Sequence, residues 1–118
     1  MDAYNHIAEI CMRRGEFDKA IFYYNEAIKY NPASTDAYVH LGHFYKGREE
    51  YNKAAEYFKK ASLIDASNVN IHYHLGESYL FMGEIDESYK QVDEIRKINR
   101  DKIADDLENK IEQAIESR

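Results

Sequence analysis

Five histidines, one cysteine and 22 acidic residues are the side chains of this 118-residue chain with chemical potential. His6, His40 and His74 stand 34 residues apart and form a ladder. His43 lies three residues beyond His40, on the same face of any helix that holds both. A zinc site needs imidazoles converging on one point at about 2.0–2.1 Å. Equivalent residues on packed helices lie on the order of 10 Å apart, so the ladder cannot share an ion. His40 and His43 make half a site that no cysteine or carboxylate completes, and no metal is expected. A surface ladder that gains charge below about pH 6.5 fits the spacing better. His72 falls in a column of tyrosines and is expected to pack. Cys11 shares its column with Tyr45 and Tyr79, which reads as a buried small apolar side chain rather than a reactive thiol. The chain has no glycine-rich phosphate loop, nucleophile elbow, CxxC or HExxH, so no catalytic residues or cofactor are expected and the reading is of a non-enzyme. The carboxylates read as solvated helix faces.

The elements that place these residues follow from a repeat. Shifted by 34, the sequence aligns with itself without insertion. Tyr4, Tyr38 and His72 fall in one column, and Ile7, Leu41 and Leu75 in the next. Ala8, Gly42 and Gly76 follow, and later Ala20, Ala54 and Ser88, then Tyr24, Phe58 and Val92. Apolar residues recur three and four apart within each unit, which is helical periodicity. Each unit reads as two helices, over about 2–14, 19–30, 36–47, 53–64, 70–82 and 87–98. Turns sit at Gly15, Glu49 and Gly83. Asp18, Asn52 and Asp86 are expected to cap the second helices, and Ser34 and Ser67 the helices after them. Asn31-Pro32 ends the first unit. Small residues in the Ala8 and Ala20 columns let the helix backbones approach. The units are therefore 1–34, 35–68 and 69–102, with 103–118 as a seventh, capping helix in one domain. Ile103, Leu107, Ile111 and Ile115 form its apolar stripe, and acidic residues its back.

Composition limits the rest. Apolar types make up 44% and charged types 32%, ordinary for a folded soluble domain. A net charge of -6 disfavours nucleic acid, and no apolar run approaches a membrane span. One cysteine and no secretory leader suggest a reducing, cytoplasmic setting.

These columns and the 34-residue period resemble the tetratricopeptide repeat over residues 1–102. The first unit shows Tyr4, Ile7, Ala8, Gly15, Ala20, Tyr24, Ala27 and Pro32 at the family's favoured positions. The second departs at Glu49 and Ala66, where the family has Gly and Pro. The third drifts in its second helix, with Ser88, Val92, Ile95 and Arg100 at the later positions. The resemblance implies an all-α, right-handed solenoid of three hairpins plus a cap, whose first helices line a concave groove for a peptide or partner protein.

By the same resemblance the groove presents Asn5, His6, Glu9, Met12 and Arg13 from the first unit. Val39, His40, His43 and Lys46 come from the second, and Asn70, Tyr73, His74, Glu77, Leu80 and Phe81 from the third. One subclass of the family grips the C-terminal carboxylate of chaperone tails. Here Asn5 and Asn70 stand where its lysines are expected, Glu9 and His40 where its asparagines are, and His74 where its arginine is. A neutral or basic peptide is the expected ligand. The alternative is a self-assembling scaffold, or a fragment or regulatory domain of a larger protein. With Met1 at the start of the first unit, Ala3, Ile7 and Ile10 are left on an outward edge able to join a second copy.

Overall fold

A computed structural model describes residues 3–98 and 102–117. Met1 and Arg100, both used above, lie outside the described residues. Seven helices follow one another: α1 (Ala3–Arg13), α2 (Phe17–Tyr30), α3 (Thr35–Gly47), α4 (Tyr51–Ile64), α5 (Val69–Phe81), α6 (Ile85–Ile98) and α7 (Lys102–Glu116). No strand occurs among the described residues. Helices α1–α2, α3–α4 and α5–α6 form three hairpins, each stacked on the one before. α7 packs across α5 and α6 at the C-terminal end.

The hairpin turns owe their shape to one position. Gly15, Glu49 and Gly83, 34 apart, have φ of 77°, 61° and 82°. In each turn the next residue's amide bonds back to the preceding helix: Glu16 to the Cys11 carbonyl, Glu50 to that of Tyr45, and Glu84 to that of Tyr79. Left-handed backbone is free for glycine and strained for glutamate. The second turn keeps its geometry at that cost.

Helix starts differ from expectation. The second helices begin at Phe17, Tyr51 and Ile85, each two residues early. Asp18 and Asp86 therefore lie within the first turn, where their charge meets the positive helix end. Asn52 is likewise inside α4, and Glu16 and Glu50 hold the cap positions without a side-chain cap bond. Ser34 does precede α3, but its hydroxyl accepts from Asn5 Nδ2 at 3.2 Å rather than capping. Asn68, not Ser67, caps α5, with its side-chain oxygen accepting from the Asn70 and Ile71 amides.

The core runs between hairpins. Ala8, Cys11, Ala20, Tyr24 and Ala27 close on Ala37 and Leu41 of the next hairpin. Ala54, Ala55 and Phe58 close in the same way on Leu75. The small columns are needed for this contact. A Cβ on Gly42 would stand 2.8 Å from the Phe58 ring, and one on Gly76 would stand 2.5 Å from Leu107 Cδ2 and 3.2 Å from Gln91 Cβ. At Gly76 the close approach is made by α7 as well as by α6. Ile115, placed above in the α7 stripe, is exposed, while Ala104, Leu107 and Ile111 are buried.

Candidate functional site

The first helices of the hairpins, α1, α3 and α5, meet through a contact that recurs at the repeat period. His40 Nε2 lies 3.3 Å from Glu9 Oε1. One unit on, His74 meets His43, ring centroids 4.5 Å apart and nearly perpendicular. His40 also stacks on Tyr24 at 5.4 Å, and His74 on Phe58 at 5.6 Å, again 34 residues on. The ladder positions are thus not spaced apart from everything imidazole-like. His40 and His74 each lean on the residue 31 positions earlier, an offset that same-column reasoning does not reveal. His6 is exposed.

Beyond His74 the groove becomes an ionic cluster. Glu77 is 6% exposed. Its carboxylate accepts from Lys46 Nζ on α3 and from Lys110 Nζ on α7. His74 Nδ1 lies 3.1 Å from Lys46 Nζ and 3.3 Å from Glu77 Oε1, and it either accepts from the lysine or, carrying a proton, donates to the carboxylate. Lys110 also sits 5.2 Å from the centre of the Tyr73 ring. Burial by itself would raise the Glu77 carboxyl, but the contacts from His74, Lys110 and Lys46 outweigh it and hold the group well below the usual carboxylate range. His43 is exposed on the groove surface and turns its ring edge-on to Phe58. Burial, then the neighbouring His74, Lys46 and His40, pull its pKa down to about 4. It is neutral at pH 7.

Between α3 and α5 lies a cleft of about 390 Å³. Phe58 and Ile71 line its apolar part, with Val39, His40, His43 and His74 beside them. Thr35, Asp36, Asp65, Asn68 and Asn70 complete the lining with polar groups. Among the described residues no three histidine, cysteine or carboxylate side chains converge to hold a metal ion, and no helix is long and apolar enough to cross a membrane.

The other groove residues named from the sequence fare unequally. Asn5 is buried and bonded to Ser34, and Met12 packs against the first core. Arg13 is exposed. Tyr73 packs beside the core that α6 and α7 close. Leu80 is buried in that same core with Val92, Ile95 and Leu107, so it is not available as a groove anchor. Its equivalents Lys46 and Met12 are only partly buried, whereas α7 covers Leu80. Phe81 is 53% exposed and meets Tyr51 at the turn edge, with ring centroids 4.9 Å apart. His72 packs as expected, between the Gln91 side chain at 2.8 Å and the Ala66 carbonyl at 2.9 Å. Lys110, central to the cluster, was absent from the sequence-derived groove because nothing local in α7 shows that it reaches α5.

Fold and groove together define a helical-hairpin solenoid. Family models of the tetratricopeptide repeat match residues 2–34 and 47–111, and the chain belongs to that family. No curated protein matches the sequence. Solved structures share the fold. The second TPR domain of human RPAP3, in complex with an HSP70 peptide, has a TM-score of 0.80 at 19% identity, over 93% of this chain and 92% of that one. The N-terminal domain of stress-induced protein-1 from C. elegans has 0.80 at 14%, over 95% and 91%. The translocator chaperone SycD of Yersinia enterocolitica type III secretion has 0.78 at 13%, over 97% and 82%.

Proposed function

We propose that this protein is a non-enzymatic interaction module that holds a neutral or basic peptide segment of a partner in the groove lined by α1, α3 and α5. The observation that carries this reading is the cleft between α3 and α5, which presents Val39, His40, His43 and His74 over a floor of buried Phe58 and Ile71 and is acidic at Asp36 and Asp65. Such a lining accepts an apolar or cationic side chain and repels a carboxylate. The two lysines nearest the groove, Lys46 and Lys110, are already engaged by Glu77, and Glu9 engages His40. These three cationic or protonatable side chains are thus engaged within the chain, which supports a ligand other than a chaperone-tail carboxylate. Structural neighbours in complex with chaperone peptides support peptide capture as the use of the fold. A reducing, cytoplasmic setting belongs to the same proposal, supported by the single buried thiol of Cys11.

A peptide array probed with the labelled protein, followed by fluorescence anisotropy on the best sequences, tests the reading. Selected peptides are expected to be neutral or basic, and Asp36→Lys combined with His40→Ala to weaken them at least about tenfold, the loss of roughly 1.4 kcal/mol. Selection of acidic C-terminal peptides, or binding indifferent to the double substitution, would show that the wrong ligand class or the wrong face has been chosen.

A further inference from the structure

We infer that the cleft between α3 and α5 is a pocket for one arginine side chain of the captured segment, with Asp36 and Asp65 as the residues that select it. The inference deepens the interaction reading above and rests on it for the segment that carries the arginine.

The lining divides into an apolar part and a charged end. Phe58 and Ile71 are buried beneath the imidazole rings of His40, His43 and His74. The charged end is built by the first turn of α3, which carries Asp36, and by the turn between α4 and α5, which carries Asp65. No lysine or arginine lines the cleft, so its two formal charges are both negative. The Asp36 carboxylate makes no ion pair or hydrogen bond with a described residue. Asp65 is oriented by Asn68 Nδ2 at 3.3 Å, a neutral donor that leaves its charge uncompensated. His43, pulled down to about 4, is neutral at pH 7 and adds no positive charge to the rings.

Rings beside uncompensated carboxylates are the surroundings that suit a guanidinium. Its plane stacks on ring faces, its fork of N–H donors matches carboxylates, and it sheds water more readily than an ammonium does. A lysine answers the charge alone. The volume, about 390 Å³, lies near the lower end of ligand clefts, roughly 300–1,000 Å³, which suits one long side chain.

The chain surrounds its own cations in the same way. Lys110 Nζ donates to Glu77 and lies 5.2 Å from the centre of the Tyr73 ring. Arg48 lies 5.4 Å from the centre of the Phe44 ring, with Glu50 at 3.5 Å. In both places a ring and a carboxylate share one cation from this chain. Between α3 and α5 the ring and carboxylate partners recur, and the lining supplies no cation of its own.

Capped arginine (N-acetyl-L-argininamide), titrated into the isotope-labelled full chain and followed by NMR, tests the pocket. The Asp36, Asn68 and Ile71 amides should shift and saturate, half-complete on the order of 10 mM, as befits a fragment. Capped lysine should bind at least about threefold more weakly. Capped citrulline, which keeps the shape and loses the charge, should leave these amides unmoved. Asp36→Asn should weaken capped arginine at least about fivefold with the helical circular dichroism intact. Asp65→Asn is the second disrupting change, and Asp18→Asn, on α2, should have no effect. Arginine and lysine bound equally, no saturable shift up to about 100 mM, or a wild-type response in both cleft variants would each overturn the inference. The two readings fail separately. A peptide array that selects segments without arginine overturns the pocket and keeps the interaction module. Capped arginine saturating the cleft while the array selects nothing keeps the pocket and removes the module.

Discussion

The two ends of this stack are made from the same repeat and finish in opposite ways. At the C-terminal end α7 lays Leu107 over Gly76, and Arg96 reaches Asp105 and Glu108 at 3.1 Å each. Glu77 adds a buried tie, joining Lys46 of α3 to Lys110 of α7. At the N-terminal end Ile7 stays open although its column is buried in the other two hairpins. Burial in a repeat is therefore decided by the neighbouring hairpin or helix and not by the residue's own identity. The same leucine-type position is core in the middle and surface at the edge.

That contrast can be broken first at its most closed point. Leu107→Ala removes a fully buried side chain from the α5–α6–α7 junction and should cost about 3 kcal/mol. Urea denaturation followed by circular dichroism measures the loss. Amide exchange should show α7 losing protection before α1 and α2. Uniform loss along the chain would mean that the cap is not a separate layer.

The ionic tie tests the same junction through pH. Glu77→Gln should cost about 2 kcal/mol at pH 7, less than a fully buried pair because Lys110 is 45% exposed. The Glu77 carboxyl is held low in the folded chain, so its contribution is complete above the ordinary glutamate value. It is lost as pH falls from about 4.3 toward the depressed folded value. His43 acts at a higher pH. It stays neutral when folded down to about 4, while the unfolded chain takes up a proton near 6.5, so stability declines as pH falls between those two values. Stability curves from pH 8 to pH 3 should lose their decline between 6.5 and 4 in His43→Gln, and their lower limb in Glu77→Gln. Wild-type curves flat between pH 6.5 and 4 would contradict the lowered pKa of His43.

The smallest effect sharpens the comparison among the hairpins themselves. Glu49→Gly should stabilise the chain by up to about 1 kcal/mol, because the second turn then matches the left-handed backbone that Gly15 and Gly83 already provide. The midpoint of a urea titration should move upward without a change of slope. A downward shift would show that the Glu49 side chain contributes more than its strained backbone costs.

Much of the fold was readable from particular positions. The Ala8, Gly42 and Gly76 column announced close helix approach, and Gly42 against Phe58 realises it. Cys11 read as buried because its column holds tyrosines, and it is. Helix starts were misplaced by one or two residues, since Asp18, Asn52 and Asp86 serve a first turn as well as a cap. The groove was less legible. Leu80 looked like an anchor from its helix face alone, and α7 buries it. The His43–His74 contact and the reach of Lys110 to Glu77 join residues 31 and 33 apart. No helical or repeat period links such pairs.

By itself the sequence determined seven helices, their phase and the family, because each of these depends on spacing within a few turns and on a period copied three times. Tertiary structure decided which equivalent residues are wet or dry and which charges neutralise one another. It also decided where the stack is closed. Those outcomes depend on the surface presented by the next hairpin, and a side chain acquires its dielectric surroundings only when that surface arrives.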